Sequence, residues 1–180
     1  MNAMRNLLAS ALLLTALACT SSKGGDTPQP PATRLTYTDP TDTAQWRLVR
    51  NAASSSTHLV LDLLAPASAS GRGVSMVLTC DSKVAWKAVD GTALVKNGVT
   101  FTGDLVQRGS VQGADLRVLL SQKPGTVQAY GSGVVLSVAV DLVSGTLPGA
   151  VAISAAQGAH LGSAAIPESI PVLVGTLKAE

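Results

Sequence analysis

Apolar and polar residues alternate along much of this chain, and the alternation predicts its elements. Across Arg72–Cys80, Val74, Met76, Leu78 and Cys80 fall on one side of an extended segment. Ser75 and Thr79 fall on the other side, where Val77 breaks the pattern. Val134, Leu136, Val138 and Val140 share one side of a later segment, with Ser137 and Asp141 opposite. Leu116, Val118 and Leu120 alternate with Arg117 in the same way. A two-residue period is what a strand with one buried face requires. Further strands are predicted through Arg34–Thr38, Trp46–Asn51, His58–Ala65, Val127–Tyr130, Ala150–Ala155 and Val172–Lys178.

Turn formers separate these segments: TDPTD, ASSST, PASASG, QKPG, SGTLPG and AIPESIP. Asp90-Gly91 and Asn97-Gly98 suit the two-residue hairpin turn that needs positive φ at both central positions. Together they predict a three-stranded meander over residues 83–102. No apolar stripe at the 3.6-residue helical period competes with this reading. The expected fold is all-β: an antiparallel β-sandwich of about nine or ten strands, jelly-roll or immunoglobulin-like.

Composition sharpens the picture. Charged residues make up 13% of the chain and aromatic residues 3%, so a core must be built from aliphatic side chains. Thirteen basic residues face eleven acidic ones, scattered without runs, which leaves no electrostatic footprint for nucleic acid.

The N-terminus follows another logic. Arg5 precedes an apolar run from Leu7 to Ala18 that closes on small residues, the layout of a secretory signal peptide. The run is shorter than the ~17–25 residues of a membrane-spanning helix. Ala16-Leu17-Ala18-Cys19 resembles the lipobox of bacterial lipoproteins, although that family favours leucine at the place of Ala16 and a smaller residue at Leu17. The resemblance implies cleavage between Ala18 and Cys19 and diacylglycerol on the Cys19 thiol. Two or more acyl chains, at about 0.8 kcal/mol per buried methylene, make a stable anchor. Thr20–Ala32, TSSKGGDTPQPPA, has the composition of a flexible tether. The expected organisation is a signal peptide over 1–18, a lipidated linker over 19–32 and a β-sandwich over 33–180. Membrane lipid, held through acylated Cys19, is the first expected partner, at the cell envelope. Thr20 in place of aspartate favours the outer membrane under the sorting rule that the resemblance implies.

Two blocks of the exported part, HLVLDLLAP…GRGVSMVLTCDSKVAW and GVVLSVAVDLVSGTLPGAVAIS, resemble the strands and turns of cohesins and related carbohydrate-binding sandwiches. The likeness spans roughly residues 58–156. It implies a sandwich that grips a protein partner through one sheet face. The dockerin partner of cohesins is not carried over.

Candidate chemistry is sparse. His58 and His160 have no nucleophile motif near them, and both read as satisfied surface residues. Asp39 and Asp42, with the hydroxyls of TDPTDT, lack the ligand spacing of a calcium loop, as do Asp81, Asp90 and Asp104. Aspartate beside Pro or Gly is ordinarily turn chemistry. If Cys19 carries lipid, Cys80 has no partner and reads as a small buried hydrophobe. Glycan stacking would need exposed rings among Tyr37, Trp46, Trp86, Phe101 and Tyr130, and both tryptophans read as core. No catalytic residue, metal or cofactor is assigned. The expected function is non-enzymatic binding of a protein partner or a part in a surface assembly; the alternative is a cell-surface carbohydrate-binding module.

Replacing Cys19 by Ser should abolish incorporation of radioactive palmitate and move the protein from the detergent to the aqueous phase of a Triton X-114 extraction. Unchanged partitioning would refute the anchor.

Overall fold

The computed structural model describes residues 28–98, 100–123, 127–131, 133–162 and 166–180. Ala18, Cys19 and most of the expected linker lie outside the described residues. Residues 28–34 lead without regular structure into the first strand.

In chain order the strands are β1 (Leu35–Thr38), β2 (Trp46–Arg50), β3 (His58–Leu64), β4 (Ser70–Gly71), β5 (Gly73–Cys80), β6 (Val84–Lys87), β7 (Lys96–Asn97) and β8 (Leu105–Gln112). There follow β9 (Asp115–Gln122), β10 (Gln128–Ala129), β11 (Val134–Leu142), β12 (Gly149–Val151), β13 (Ile153–Leu161), β14 (Pro167–Ser169), β15 (Val172–Leu173) and β16 (Thr176–Ala179). Two sheets dominate. One has the order β15-β2-β3-β11-β6, with β7 also pairing β11; the other runs β14-β13-β5-β9-β8. A β1-β16-β12 sheet and a β10-β4 pair complete the architecture. Among the described strands every pairing is antiparallel except that of β15 with β2.

The alternation read from the sequence is what buries the core. Leu59, Leu61 and Leu63 of β3 and Leu136, Val138 and Val140 of β11 are fully buried and face one another across the ladder. Val74, Met76 and Leu78 of β5 and Leu116, Val118 and Leu120 of β9 do the same in the second sheet. All twelve join one apolar cluster. Because the side-chain period is two, a one-residue slip of either ladder would expose a whole set, so burial fixes the register.

The predicted meander does not form. β6 and β7 both pair with β11, at Ala139–Leu142 and at Leu136–Ser137, so they are one edge interrupted by an excursion over residues 88–95. At its tip the Asp90 carboxylate accepts from the Thr92 hydroxyl at 2.6 Å and the Thr92 amide at 3.2 Å, and Gly91 takes φ 83°. These bonds, with Lys96 beside them, hold Asp90 well below the usual carboxylate range. Gly98 is a glycine for another reason. A Cβ there would overlap the Val134 carbonyl oxygen, so the residue serves a close approach to β11 and makes no hairpin turn.

β8, where no strand was predicted, fills its inner side from the same excursion. Gly109 leaves space for Leu94 and Val95, both 2.8 Å from where its Cβ would stand. Gln107 accepts from the Asn97 amide and donates to the Val95 carbonyl.

The chain's approach and its C-terminus meet at β1. The Thr33 and Arg34 amides donate to the Glu180 carbonyl at 2.7 and 2.9 Å, and the Glu180 amide returns a bond to Arg34 at 2.9 Å. The Thr36 hydroxyl and the Arg34 guanidinium both bind the Glu180 carboxylate and hold its pKa below the ordinary value.

Leu61 is fully buried, whereas Leu119, on the outer side of β9, is 37% exposed. Leu61→Ala should therefore cost about 2–5 kcal/mol in urea unfolding, and Leu119→Ala less than about 1 kcal/mol. Equal losses would contradict this assignment of faces.

Candidate functional site

A sandwich has two outer faces, and here they differ. On the six-stranded sheet the outward positions of β3 are His58, Val60 and Asp62, opposite Asp141, Ala139 and Ser137 of β11. The central ones are buried: Val60 is 2% exposed, Ala139 0% and Asp62 6%. Asp62 accepts from Asn51 Nδ2 and Ser137 Oγ, each at 2.6 Å, which offsets the cost of burying a carboxylate. Ser54 Oγ bonds both the amide and the carbonyl of Val60. His58 meets Asp141 Oδ1 through Nδ1 at 2.5 Å and the Val89 carbonyl through Nε2 at 3.2 Å. The turn after β2 thus seals the centre of this face and the Val89 carbonyl caps His58, while Lys87 at the β6 edge stays exposed.

The same contacts describe what the histidines do. His58 has a carboxylate partner, as a catalytic base would, but a backbone carbonyl stands where a nucleophile is needed. His160 is no surface residue, contrary to the sequence reading. It lies in β13, is 8% exposed, and sets Nε2 3.0 Å from the Ser70 carbonyl. Its ring packs 5.4 Å from those of Trp46 and Tyr130. The QGAHLGS stretch looked like a loop because of its small residues. β13 runs through most of it because Gly158 has no side chain to collide with Ile170 and Val172.

Other candidate groups are engaged structurally. The Asp39, Asp42 and Asp81 carboxylates accept from the backbone amides of Arg50, Ala44 and Lys83. Among the described residues, no three His, Cys, Asp or Glu gather as a metal site would require. Cys80 is buried and free, and burial, followed by the charges of Asp81 and Asp115, pushes its thiol pKa up. It is a packed thiol and not a poised thiolate. All five aromatic rings of the chain, those of Tyr37, Trp46, Trp86, Phe101 and Tyr130, are buried. Desolvation raises the Tyr37 and Tyr130 hydroxyls to about 12. No ring is left outside for a sugar to stack on.

The outer face of the five-stranded sheet is open. Its register sets out cross-strand rows. One row is Val106, Ser121, Gly73 and Leu161; the next is Arg108, Leu119, Ser75 and Ala159. Then come Ser110, Arg117 and Val77, and last Gln112, Asp115, Thr79 and Ser154. Apart from Gly73, every residue in these rows is half-buried or exposed. Shallow depressions lie between Ser75, Val77, Thr79 and Arg117 and between Arg108, Ser110, Arg117 and Leu119. A smaller apolar dimple of ≈ 120 Å³ is lined by Leu119, Ala159, Leu161 and Pro167, with Ser75 and Ser121 at its side. The Thr79 hydroxyl donates to Asp115 at 2.7 Å. Arg108 and Arg117 have no carboxylate within salt-bridge distance among the described residues.

Sequence reasoning singled out none of these residues as a site, yet two signals pointed there. Val77 and Leu119 are apolar residues that break the alternation of β5 and β9, and both land on this face. Each sits beside a small or polar cross-strand partner, Leu119 by Ser75 and Val77 by Arg117.

Comparison with solved structures identifies the fold as a cohesin-like β-sandwich. The chain is similar to a type II cohesin domain from the cellulosome of Acetivibrio cellulolyticus, with TM-score 0.56 and 11% identity over 76% of this chain and 95% of that one. It is also similar to the sixth cohesin of scaffoldin B from the same organism, solved in complex with a mutant Cel5 dockerin. That match has TM-score 0.50 and 12% identity over 73% of this chain and 94% of the other. No protein-family model matches the chain, and no curated protein matches it.

With every ring inside, iodide should quench tryptophan emission only after unfolding, and soluble polysaccharides should leave the emission unchanged. A saturable shift on adding a glucan or chitin oligomer would show that a ring is within reach of sugar.

Proposed function

We propose that this protein is a lipid-anchored, non-enzymatic β-sandwich of the cell envelope that binds a protein partner through the open face of its five-stranded sheet. One observation carries the reading. The centre of the outer face of the six-stranded sheet is sealed by the turn after β2, with Val60 and Ala139 buried there, whereas the opposite face keeps Leu119 37% exposed. Four strands at ~4.8 Å spacing and eight residues at ~3.4 Å each give that face roughly 20 by 25 Å. This is enough for a protein interface of modest size. Two features of its composition suit an interface: two arginines stand on it, and lysine and glutamate are absent from its rows.

The cohesin-like neighbour solved with a dockerin supports a protein as the ligand of such a sandwich. Nothing carries the dockerin itself over to this chain. In this reading residues 1–18 direct export and are removed, acylated Cys19 holds the chain to the membrane, and residues 19–32 let the domain reach its partner. The outer membrane is the favoured location.

A photo-reactive benzophenone amino acid placed at Val77 or Ser121, on the open face, should yield a discrete cross-linked protein in intact cells. The same probe at Lys87 or Arg47, on the six-stranded sheet, should not. Cross-linking from the sealed face alone, or from neither, would rule this interface out.

A further inference from the structure

We infer that the partner's contact segment is acidic and aliphatic: a carboxylate-bearing side chain docks on the Arg108–Arg117 pair while a neighbouring aliphatic side chain fills the dimple beside it. The inference rests on the open-face reading above and names the chemistry of its partner.

The arginine pair comes first. Arg108 lies opposite Leu119, and Arg117 opposite Ser110, so the two arginines are diagonal neighbours across the β8–β9 ladder. Such diagonal positions are about 7–8 Å apart, within reach of one another's long side chains. Like charges so placed repel, and neither is neutralised by a carboxylate of this chain among the described residues. The one acid in these rows, Asp115, stands in the row next to Arg117 but makes no ion pair with it, and it already accepts from the Thr79 hydroxyl. A carboxylate arriving between the guanidinium groups would relieve the repulsion and find paired N–H donors of the right geometry. The depression bounded by Arg108, Ser110, Arg117 and Leu119 gives it a place to stand.

The second observation is independent of charge. Leu119, the residue opposite Arg108, also lines the ≈ 120 Å³ dimple with Ala159, Leu161 and Pro167. That volume suits a single branched aliphatic side chain, and the lining is almost wholly apolar. Because Leu119 borders both places, the carboxylate and the aliphatic group must be near neighbours on the partner. Residues three or four apart on a helix, or two apart on a strand, meet this condition at about 5–7 Å. A sulfated or phosphorylated glycan would satisfy the arginines and leave the dimple empty, which is why the two observations together favour a protein.

The test uses the full-length protein in intact cells, with the benzophenone probe at Val77. Arg108→Glu with Arg117→Glu should cut the cross-linked product at least about ten-fold, and Arg108→Lys with Arg117→Lys should cut it less, by about three-fold, because lysine keeps the charge and loses the paired donors. Ala159→Leu, which fills the dimple and leaves the charge unchanged, should also cost about ten-fold. Thermal melting of each variant near that of the parent excludes misfolding as the cause. A discrete protein product indifferent to charge reversal and to Ala159→Leu would overturn the inference and leave the open-face reading standing. A product that digests as polysaccharide would overturn it as well. If no open-face position yields any product, both readings fall together.

Discussion

Everything in this fold follows from the parity of the pleat. A strand that turns Leu59, Leu61 and Leu63 into the core must turn His58, Val60 and Asp62 out, and the same holds across the ladder for β11. Two packed sheets therefore create two outer faces whether or not the protein has a use for them. With only five aromatic residues available, the interior is filled by Leu, Val and Met, and all five rings are drawn in with them. The surface is left without the bulky groups by which many binding sites are recognised.

The treatment of the two faces is where this chain departs from a generic sandwich. On the six-stranded sheet a carboxylate, an amide and a hydroxyl from Asp62, Asn51 and Ser137 close into a polar cluster that ties the turn after β2 to the sheet. Such a cluster holds the covering turn in place, because removing one member would strand the others without partners. Among the described residues the five-stranded sheet has no comparable cover. Its outward side chains are mostly short, and among the described residues its two arginines pair with no acid.

Much of the architecture was legible beforehand. The strands with clean alternation, β3, β5, β9 and β11, fall within a residue or two of where periodicity puts them. β8 was not legible, because the middle of its inner side, between Leu105 and Val111, is Gln107 and Gly109, and the apolar mass that covers them comes from Leu94 and Val95. The meander failed for a related reason. Asn97-Gly98 has the composition of a turn, but Gly98 answers to the backbone of Val134, far away in sequence. His160 was misplaced because only the tertiary fold brings Trp46 and Tyr130 to its ring. The site was less legible: Val77 stood out as a break in a pattern, whereas Leu119 gained its meaning only when the β5–β9 register put both on one face.

The meeting of the chain's approach with its C-terminus has a mechanical consequence. β1 lies antiparallel to β16, which is held in turn by β12, and Glu180 is tied back to Thr33, Arg34 and Thr36. A pull through the residues ahead of β1, directed along that strand, meets this pairing first. The bonds from Leu35–Ala179 to Thr38–Thr176 then bear the load together, in shear, and do not open one after another from an end. A domain entered in this way resists being peeled apart from its N-terminal end, because several paired bonds must give way at once and not in turn.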